Sequence, residues 1–442
     1  MLRSLLDRLL RRPPVRPAAP RGSVRVRKPA PATAAEPDAP GRVAVGAHRP
    51  LISVRGEIAG FEFRIADAAL QRLAARADPT AARAGASSLL AAMRLCAQGG
   101  QVAYAEIPAG WIALIDGSEW LPGMHAALIA HEEADAIDAA AAQQALAGWR
   151  AAGAAIGWAS DTTPAALAAE SPDFLLLRRD DDPALLMSAL RHCRESHPGV
   201  PLIAPDLPNL AALEATLQAG ITYAACRIDG QADPPEARAL PPQVRHLLAL
   251  MARLARDADT AEIVTAIKTD VGLSYRLLRQ LNSAAVAPGV ELGSIEQAVA
   301  LLGRNELYRW VSVLLVRQGP RRPAAPALQT MALARARFFE LLAEARGDTP
   351  PGAVFTLGLA SMLPQLLQTR MEDALASLQL HPLAEAALME RSGPWSSYLV
   401  LAEMLDEGDL VEAAALAQGE AFGDLPAVMA LSARAWLFAA KA

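Results

Sequence analysis

Hydrophobic residues recur at helical spacing between Leu240 and Val316, where the pattern along the chain is clearest. Apolar residues three and four positions apart form one face of an amphipathic helix. Three such stripes follow one another: Leu247, Leu248, Met251 and Leu254; then Leu273, Leu277, Leu278 and Leu281; then Ile295, Ala298, Val299 and Leu302. The pattern therefore predicts compact helices that bury these stripes against each other.

The ends of these helices carry capping residues. Asp270 precedes the helix of Leu273, and a carboxylate in that position accepts a hydrogen bond from the first turn. Ser294 followed by Gln297 is typical of a capping box. Gly303 stands where a helix should stop, because glycine adopts the left-handed conformation of a helix end.

Short apolar runs alternate with alanine-rich helical patterns between residues 49 and 230. The predicted strands are Leu51–Arg55, Ile58–Ile65, Val102–Glu106, Trp111–Ile115, Ala126–Ala130, Ala155–Ala159, Phe174–Leu177, Pro201–Ala204 and Tyr223–Ile228. The predicted helices between them include Ala81–Gln98, Ala134–Ala152, Ala165–Glu170, Pro183–Ser196 and Leu207–Ala219. This alternation predicts a mainly parallel sheet, either open or closed as a barrel.

Helical patterns resume after a loop rich in proline and glycine at 318–326. The predicted helices are Leu328–Arg346, Val354–Gln368, Met371–Ala376, Pro382–Arg391, Trp395–Glu407, Leu410–Gln418 and Leu425–Ala440. The second half of the chain is thus predicted to be all-helical.

The first residues differ from both regions. Met1–Arg12 places leucines on one helical face with arginines around it, which is typical of a basic amphipathic helix that contacts a membrane surface or a partner. The alternative is a frayed terminus, since a helix of this length is marginal in water. Pro13–Val45 is rich in proline and alanine and poor in large apolar residues, so we expect a disordered linker.

Composition narrows the class of protein. A chain of 442 residues with 52% hydrophobic residues suggests two or three domains with sizeable cores. The net charge of -5 gives no reason to expect nucleic-acid binding. The three cysteines are widely separated and suggest neither a disulfide framework nor a metal site. No apolar run reaches transmembrane length, and we expect a cytoplasmic protein.

The helical region resembles the HDOD domain. The resemblance is carried by Leu240-Pro241, by D-x-x-L-x-x-R-L-L-R-x-x-N-S-A from Asp270 to Ala284, and by S-I-x-x-A-V-x-x-L-G from Ser294 to Gly303. The residues of this signature that carry polar or special backbone roles are Asp270, Arg276, Asn282, Ser294 and Gly303. HDOD domains are similar in fold to HD-type phosphohydrolases but lack their metal ligands, so the resemblance implies a signalling or docking module rather than a catalyst.

The preceding region resembles a degenerate EAL domain, a (β/α) barrel of the cyclic di-GMP phosphodiesterase type. "EIAGFEFRI" stands in place of the first EAL strand, and Glu62 stands in place of the glutamate of its name-giving motif. EAL hydrolysis uses acidic residues that hold two metal ions. Here the paired aspartates fall at Ala159 and Ser160, a lysine is replaced near Leu177 with Arg178 adjacent, and a further glutamate becomes Pro205, followed by Asp206.

With so many ligands replaced, the sequence predicts no metal and no cofactor in this region. Three acidic or histidine residues, His131 to Glu133, lie near a ligand position without a clear match. His192, Cys193 and His197 are interpreted as a polar helix end rather than a zinc site, because no second ligand pair lies nearby. Glu62 and Arg178 are the candidate ligand-binding residues if the cyclic di-GMP groove is retained.

The predicted organisation is an N-terminal segment and linker over residues 1–45, a degenerate EAL-like domain over 46–232 and an HDOD domain over 236–442. We expect a non-enzymatic bacterial signalling protein whose partners are other signalling proteins, bound through the helical domain. The alternative is a cyclic di-GMP receptor without turnover, and a remote alternative is a residual phosphodiesterase.

Overall fold

The computed structural model describes residues 48–64, 79–129, 139–159, 170–178, 182–228, 237–256, 258–281, 294–347, 349–376, 378 and 380–441. The predicted N-terminal helix and linker, and the signature residue Asn282, lie outside these ranges. The domain boundaries given above stay predictions.

Eight strands close into a barrel in the order of the chain. They are β1 His48–Ser53, β2 Ile58–Phe63, β3 Val102–Pro108, β4 Met124–Ile129, β5 Ala155–Ala159, β6 Phe174–Leu176, β7 Leu202–Leu207 and β8 Tyr223–Cys226. Strand β1 runs antiparallel to both of its neighbours, β2 and β8, and the other neighbouring pairs are parallel. The closed sheet confirms the prediction of a (β/α) barrel.

Helices cover the outside of the barrel between the strands. The described ones are α1 Pro79–Gln98, α2 Ala139–Ala151, α3 Pro183–Ser196 and α4 Leu210–Gln218. Alternate strand residues face the helices and the barrel interior. The interior is filled by residues such as Leu51, Tyr104, Phe174, Ile203 and Ala225.

One predicted strand, Trp111–Ile115, is wrong. Residues Ala109–Leu114 form a 3-10 helix instead, in which Trp111 and Ile112 are buried. This segment packs against α1 and α2 rather than pairing with a strand. Its apolar, β-prone composition reflects burial beneath helices, which composition alone does not distinguish from burial in a sheet.

After β8, the regular elements of the described residues are all helices. The helices are α5 Pro242–Ala255, α6 Thr260–Lys268, α7 Val271–Leu281, α8 Ile295–Val316, α9 Ala325–Arg346, α10 Pro351–Ala360, α11 Leu363–Leu367, α12 Met371–Leu375, α13 Pro382–Met389, α14 Ser396–Glu407, α15 Leu410–Gly419 and α16 Leu425–Ala439. The prediction of a single helix over Val354–Gln368 is wrong. The helix is interrupted between Ala360, where α10 ends, and Leu363, where α11 begins just before Pro364. A proline in the first turn starts a helix but cannot continue one.

None of the helices in the described ranges combines the length and the apolar character needed to cross a membrane.

The barrel and the helical region are joined by a polar contact that water scarcely reaches. Arg322 donates through Nε and Nη2 to the two carboxylate oxygens of Glu214 on α4, both at 2.7 Å. The same carboxylate accepts a hydrogen bond from the backbone N–H of Ala324 at 3.1 Å. The two charged side chains are only 13% and 15% exposed. One glutamate of the barrel thus fixes the loop that leads into α9.

The turn between β1 and β2 lies directly on the same loop. Gly56 has a φ of +72°, and a Cβ at this position would stand 1.7 Å from the carbonyl oxygen of Pro323. Its own carbonyl accepts a hydrogen bond from the N–H of Ala327 at 2.8 Å. Only glycine meets both demands, since it accepts a positive φ and has no Cβ.

Candidate functional site

Charged residues gather at the end of the barrel where the parallel strands finish. Glu62 lies near the end of β2 and, like its register partner Tyr104 on β3, faces the interior. Because β1 is antiparallel, its beginning lies at this same end, and Arg49 is in register with Glu62. Asp206 near the end of β7 and Arg64 directly after β2 complete the group. We call Arg49, Glu62, Arg64 and Asp206 the arginine–carboxylate cluster.

Both arginines of the cluster contact both carboxylates. Arg64 Nε donates to Glu62 Oε1 at 2.8 Å, and Arg49 Nε lies 3.4 Å from Glu62 Oε2. Arg49 Nη1 donates to Asp206 Oδ1 at 2.9 Å, and Arg64 Nη2 lies 3.6 Å from the same oxygen. Guanidinium groups therefore stand beside both carboxylates.

Two side chains of the cluster, Glu62 and Arg49, are buried. The side chain of Glu62 is 2% exposed and that of Arg49 is 7% exposed. Burial raises the pKa of Glu62, while the charges of Arg64 and Arg49 oppose this rise. Burial alone would lower the pKa of Arg64, but attraction to Glu62 raises it overall. Arg64 thus keeps its positive charge beside Glu62.

A tyrosine and a carboxylate of β3, Tyr104 and Glu106, lie next to the cluster. The fully buried Tyr104 donates from its hydroxyl to Glu106 Oε1 at 3.4 Å. Although Glu106 is partly exposed, the partial removal of its carboxyl from water raises its pKa, and the charges of Arg64 and Arg178 oppose this rise. Burial also raises the pKa of Tyr104 well above its usual value, so the phenol stays protonated and can donate. Strand β3 thus adds a tyrosine and a further carboxylate to the charged end of the barrel.

The two ligand-binding candidates from the sequence lie at the same end of the barrel but have different surroundings. Glu62 is enclosed in the cluster. Arg178 is exposed after the end of β6, and its charge favours the ionised form of Glu106. The sequence did not point to Arg49 or Glu106. The closed barrel shows why they belong to the site. Arg49 pairs with Glu62 in the sheet, and Glu106 lies two residues after Tyr104, on the same face of β3.

The candidate metal ligands lie only partly within the described ranges. Within the described ranges, no group of three or more His, Cys, Asp or Glu residues is placed to hold a metal ion. His131 to Glu133 lie outside those ranges. Cys193, which the sequence placed between His192 and His197, is buried in the hydrophobic core. Hard divalent ions need several oxygen ligands, and both oxygens of Glu62 and Oδ1 of Asp206 lie 2.8–3.4 Å from guanidinium nitrogens.

The cluster also reaches the helical region. Helix α14 contacts β1, and its Asp406 accepts a hydrogen bond from Arg335 on α9 at 2.8 Å. Burial raises the pKa of Asp406, and the charges of Arg335 and of Arg49 from the cluster oppose this rise. The next residue, Glu407, accepts a hydrogen bond from Arg227 of the barrel at 2.6 Å. Charges of the two regions therefore interact beside β1.

The signature residues of the helical region have structural roles in the described part of the chain. Asp270 Oδ1 accepts a hydrogen bond from the N–H of Leu273 at 2.9 Å, which caps α7. Ser294 Oγ accepts one from the N–H of Gln297 at 3.2 Å, which caps α8. Gly303 has a φ of 72° and interrupts α8 where the sequence predicted a helix end. Arg276 is exposed on α7.

A cleft of about 680 Å³ opens among α5, α8, α9 and α10. Its charged lining includes Arg309, which donates to Glu306 Oε1 at 3.0 Å and to Glu340 Oε1 at 2.8 Å. Arg337 donates to the other oxygen of Glu340 at 2.5 Å. Since these charges are already paired within the protein, they hold the walls of the cleft together.

Comparison with known proteins matches most of the helical region to a known domain. Residues 239–390 match the HDOD domain model, which confirms the resemblance found in the sequence. The chain is 28% identical over 163 residues to the uncharacterized protein YuxH of Bacillus subtilis, and this match covers 36% of the chain and 40% of YuxH. It is 30% identical over 155 residues to the cyclic di-GMP phosphodiesterase CdgJ of Vibrio cholerae, covering 35% of each protein.

Each of these matches spans well under half of the relative. Among solved structures, an EAL domain protein from Listeria monocytogenes has 12% identity and a TM-score of 0.31, covering 42% of this chain and 86% of that one. A similarity at this level does not allow individual residues to be matched.

Proposed function

We propose that this chain is a non-enzymatic signalling protein of a cyclic di-GMP system, and that it acts by protein–protein interaction through its HDOD domain. The HDOD match at residues 239–390 and the similarity to a cyclic di-GMP phosphodiesterase support the link to signalling. The similarity covers 35% of that relative, so its activity is not carried over to this chain.

The observation that carries the non-enzymatic proposal is the position of Arg49 and Arg64 beside Glu62. Hydrolysis with two metal ions requires carboxylates that are open to cations, so that the metals can activate a water and hold the phosphate. At Glu62 the cations are part of the protein, at 3.4 Å and 2.8 Å. A divalent ion at Glu62 would have to displace them, and buried Arg49 would then keep only its hydrogen bond to Asp206, which is costly.

The direct test is turnover by the full chain. We would incubate it with cyclic di-GMP and either Mg²⁺ or Mn²⁺, and separate the products by chromatography beside an active phosphodiesterase. The proposal predicts intact nucleotide at the level of a protein-free blank. Linear dinucleotide that forms with this protein, and no longer forms with Glu62→Gln, would contradict it.

A second candidate is a cyclic di-GMP receptor without turnover. It is favoured by the positively charged groups at the barrel end, since Arg178 is exposed there and Arg64 is partly so. Guanidinium groups bind phosphate through paired hydrogen bonds. Calorimetry would detect saturable binding with the nucleotide recovered intact, weakened in Arg178→Ala but not in Arg434→Ala, an exposed arginine on α16.

A further inference from the structure

Helix α7 buries one face and exposes an unusual one. Leu273, Leu277 and Leu281 are buried in the helical core. On the opposite side, Val271 is 81% exposed and Tyr275 is 63% exposed. Residues four apart lie on the same face of a helix, so these two side chains form a continuous apolar surface over one turn. Adjacent exposed apolar side chains with polar residues around them are a feature of protein interaction sites.

The same side of α7 carries two exposed arginines, Arg276 and Arg279. Arg279 lies four residues after Tyr275 on the same face, and Arg276 lies at the edge of that face, three residues before Arg279. Neither has a hydrogen bond or an ion pair with the part of the chain that the structure describes. The helix itself contains no acidic residue, and the aspartate that precedes it, Asp270, is engaged in capping.

We propose that the exposed face of α7, formed by Val271, Tyr275, Arg276 and Arg279, docks an acidic amphipathic segment of a partner protein. The inference rests on the proposed function, in which the HDOD domain holds other proteins, and names the surface and the chemistry of the partner. Tyrosine and arginine are the residues that contribute most to binding at protein interfaces. Unpaired cations beside an apolar surface select a partner with carboxylates around its own apolar residues.

The geometry sets the size of the contact. From Val271 to Arg279 the helix rises about 12 Å, at 1.5 Å per residue. A partner helix of two to three turns therefore matches this surface in length. Salt weakens exposed charge pairs, so binding is expected to fall as the ionic strength rises.

The probe for the test is a fluorescein-labelled synthetic peptide of about 18 residues, with leucines at helical spacing and glutamates on either side of them. Its binding to the full chain is followed by fluorescence anisotropy. We expect saturable binding that Arg276→Glu/Arg279→Glu weakens at least ~10-fold and Tyr275→Ala ~5-fold. The matched control is Arg434→Glu on α16, where Arg434 and the exposed Leu437 form a smaller apolar and cationic pair. This control should leave the affinity within about twofold.

Three results would overturn the proposal. They are no binding of the acidic peptide, equal or tighter binding of a peptide with lysines in place of the glutamates, and binding that the α7 variants leave unchanged. Sedimentation of the protein alone tests a second copy as the occupant, and a dimer dissociated by Arg276→Glu/Arg279→Glu would also overturn it. Far-UV circular dichroism confirms that each variant is folded.

The two proposals fail separately. Hydrolysis of cyclic di-GMP by the unmodified chain would contradict the non-enzymatic function and leave the peptide result unaffected. Peptide binding that is indifferent to α7 would remove the docking surface and leave the turnover result unaffected.

Discussion

The arginine–carboxylate cluster of the barrel and the exposed face of α7 use arginine in opposite ways. In the barrel, Arg49 and Arg64 are held against Glu62 and Asp206, and Glu62 is 2% exposed. On α7, Arg276 and Arg279 are exposed, with no ion pair to any residue in the described ranges. A cation that is balanced inside the protein closes a site to other cations. A cation left unbalanced on the surface is available to a partner.

The two kinds of arginine should differ in how much folding stability is lost when each is removed. Removing one member of a buried ion pair leaves the other without compensation and destabilises the fold. Removing an exposed, unpaired charge leaves stability nearly unchanged, and its effect appears only in binding. The predictions below use this property, beginning with the largest expected effect.

Breaking the cluster should give the largest loss of stability. Arg49→Met leaves Glu62 with a single guanidinium partner in a buried position, and we expect the free energy of unfolding to fall by about 3 kcal/mol. Urea denaturation of the full chain, followed by tryptophan fluorescence, measures the loss. The double variant Arg49→Met/Glu62→Met should recover most of it, because no buried charge then lacks its partner.

The control for the cluster is Arg150, which pairs with Glu170 and Asp173 on the outside of the barrel and is 27% exposed. Arg150→Met should cost about 1 kcal/mol or less. An equal loss in Arg49→Met and Arg150→Met would show that burial does not distinguish the cluster.

The contact between the two regions should give an intermediate effect. Glu214→Ala removes the acceptor of Arg322 and of the N–H of Ala324, and a loss of about 2 kcal/mol is expected for charged hydrogen bonds that are mostly buried. Limited proteolysis would then cut the loop around Pro323 faster than in the unmodified protein. An unchanged rate would contradict the role of Glu214 in fixing this loop.

The barrel interior should make stability depend on pH through His125. Burial lowers the pKa of His125, which lies between the rings of Phe174 and Tyr223. The unfolded chain, with the ordinary histidine pKa of about 6.5, therefore takes up a proton that the folded protein resists. Stability should fall as the pH drops below about 6.5, by up to ~1.4 kcal/mol for each unit by which the pKa is lowered.

The check is the melting temperature between about pH 7.5 and pH 5.5. His125→Asn keeps a donor for the carbonyl of Gly123, which the ring nitrogen of His125 contacts at 3.2 Å, but cannot titrate. It should show a shallower decline on acidification. The same slope in both proteins would assign the acid sensitivity to other groups.

The α7 arginines should give the smallest effect on stability. Arg276→Ala and Arg279→Ala are expected to change the free energy of unfolding by less than about 0.5 kcal/mol, because each side chain is exposed. Urea denaturation beside Arg49→Met gives the comparison directly. A loss comparable to that of Arg49→Met would mean that these arginines support the fold, and would remove the contrast with the cluster.

Local features of the fold could be predicted from the sequence. The bounds of β5 and α3 agree with the pattern, and Asp270 and Ser294 cap helices as their positions indicated. These features depend on neighbours within a few residues. The segment at Trp111 was predicted wrongly, because apolar residues buried beneath helices look like a strand in the sequence.

The cluster could be predicted only in part. Glu62 was identified from its motif, but its partner Arg49 and the carboxylate of Asp206, 157 residues further along the chain, are brought together by barrel closure. The antiparallel direction of β1 decides that Arg49 lies at the same end as Glu62. Local composition determines neither the register nor the direction of β1. The guanidinium groups beside Glu62 were therefore not predicted.

The measurement that tests the central claim most directly is Mn²⁺ binding by electron paramagnetic resonance, in which protein-bound ions lose the signal of free aqueous Mn²⁺. Because Arg49 and Arg64 occupy the carboxylates of the cluster, the unmodified chain should leave the free-ion signal unchanged at micromolar Mn²⁺, with or without cyclic di-GMP. Stoichiometric loss of that signal, reversed by Glu62→Gln and by Asp206→Asn, would show that the cluster holds metal and would contradict the claim.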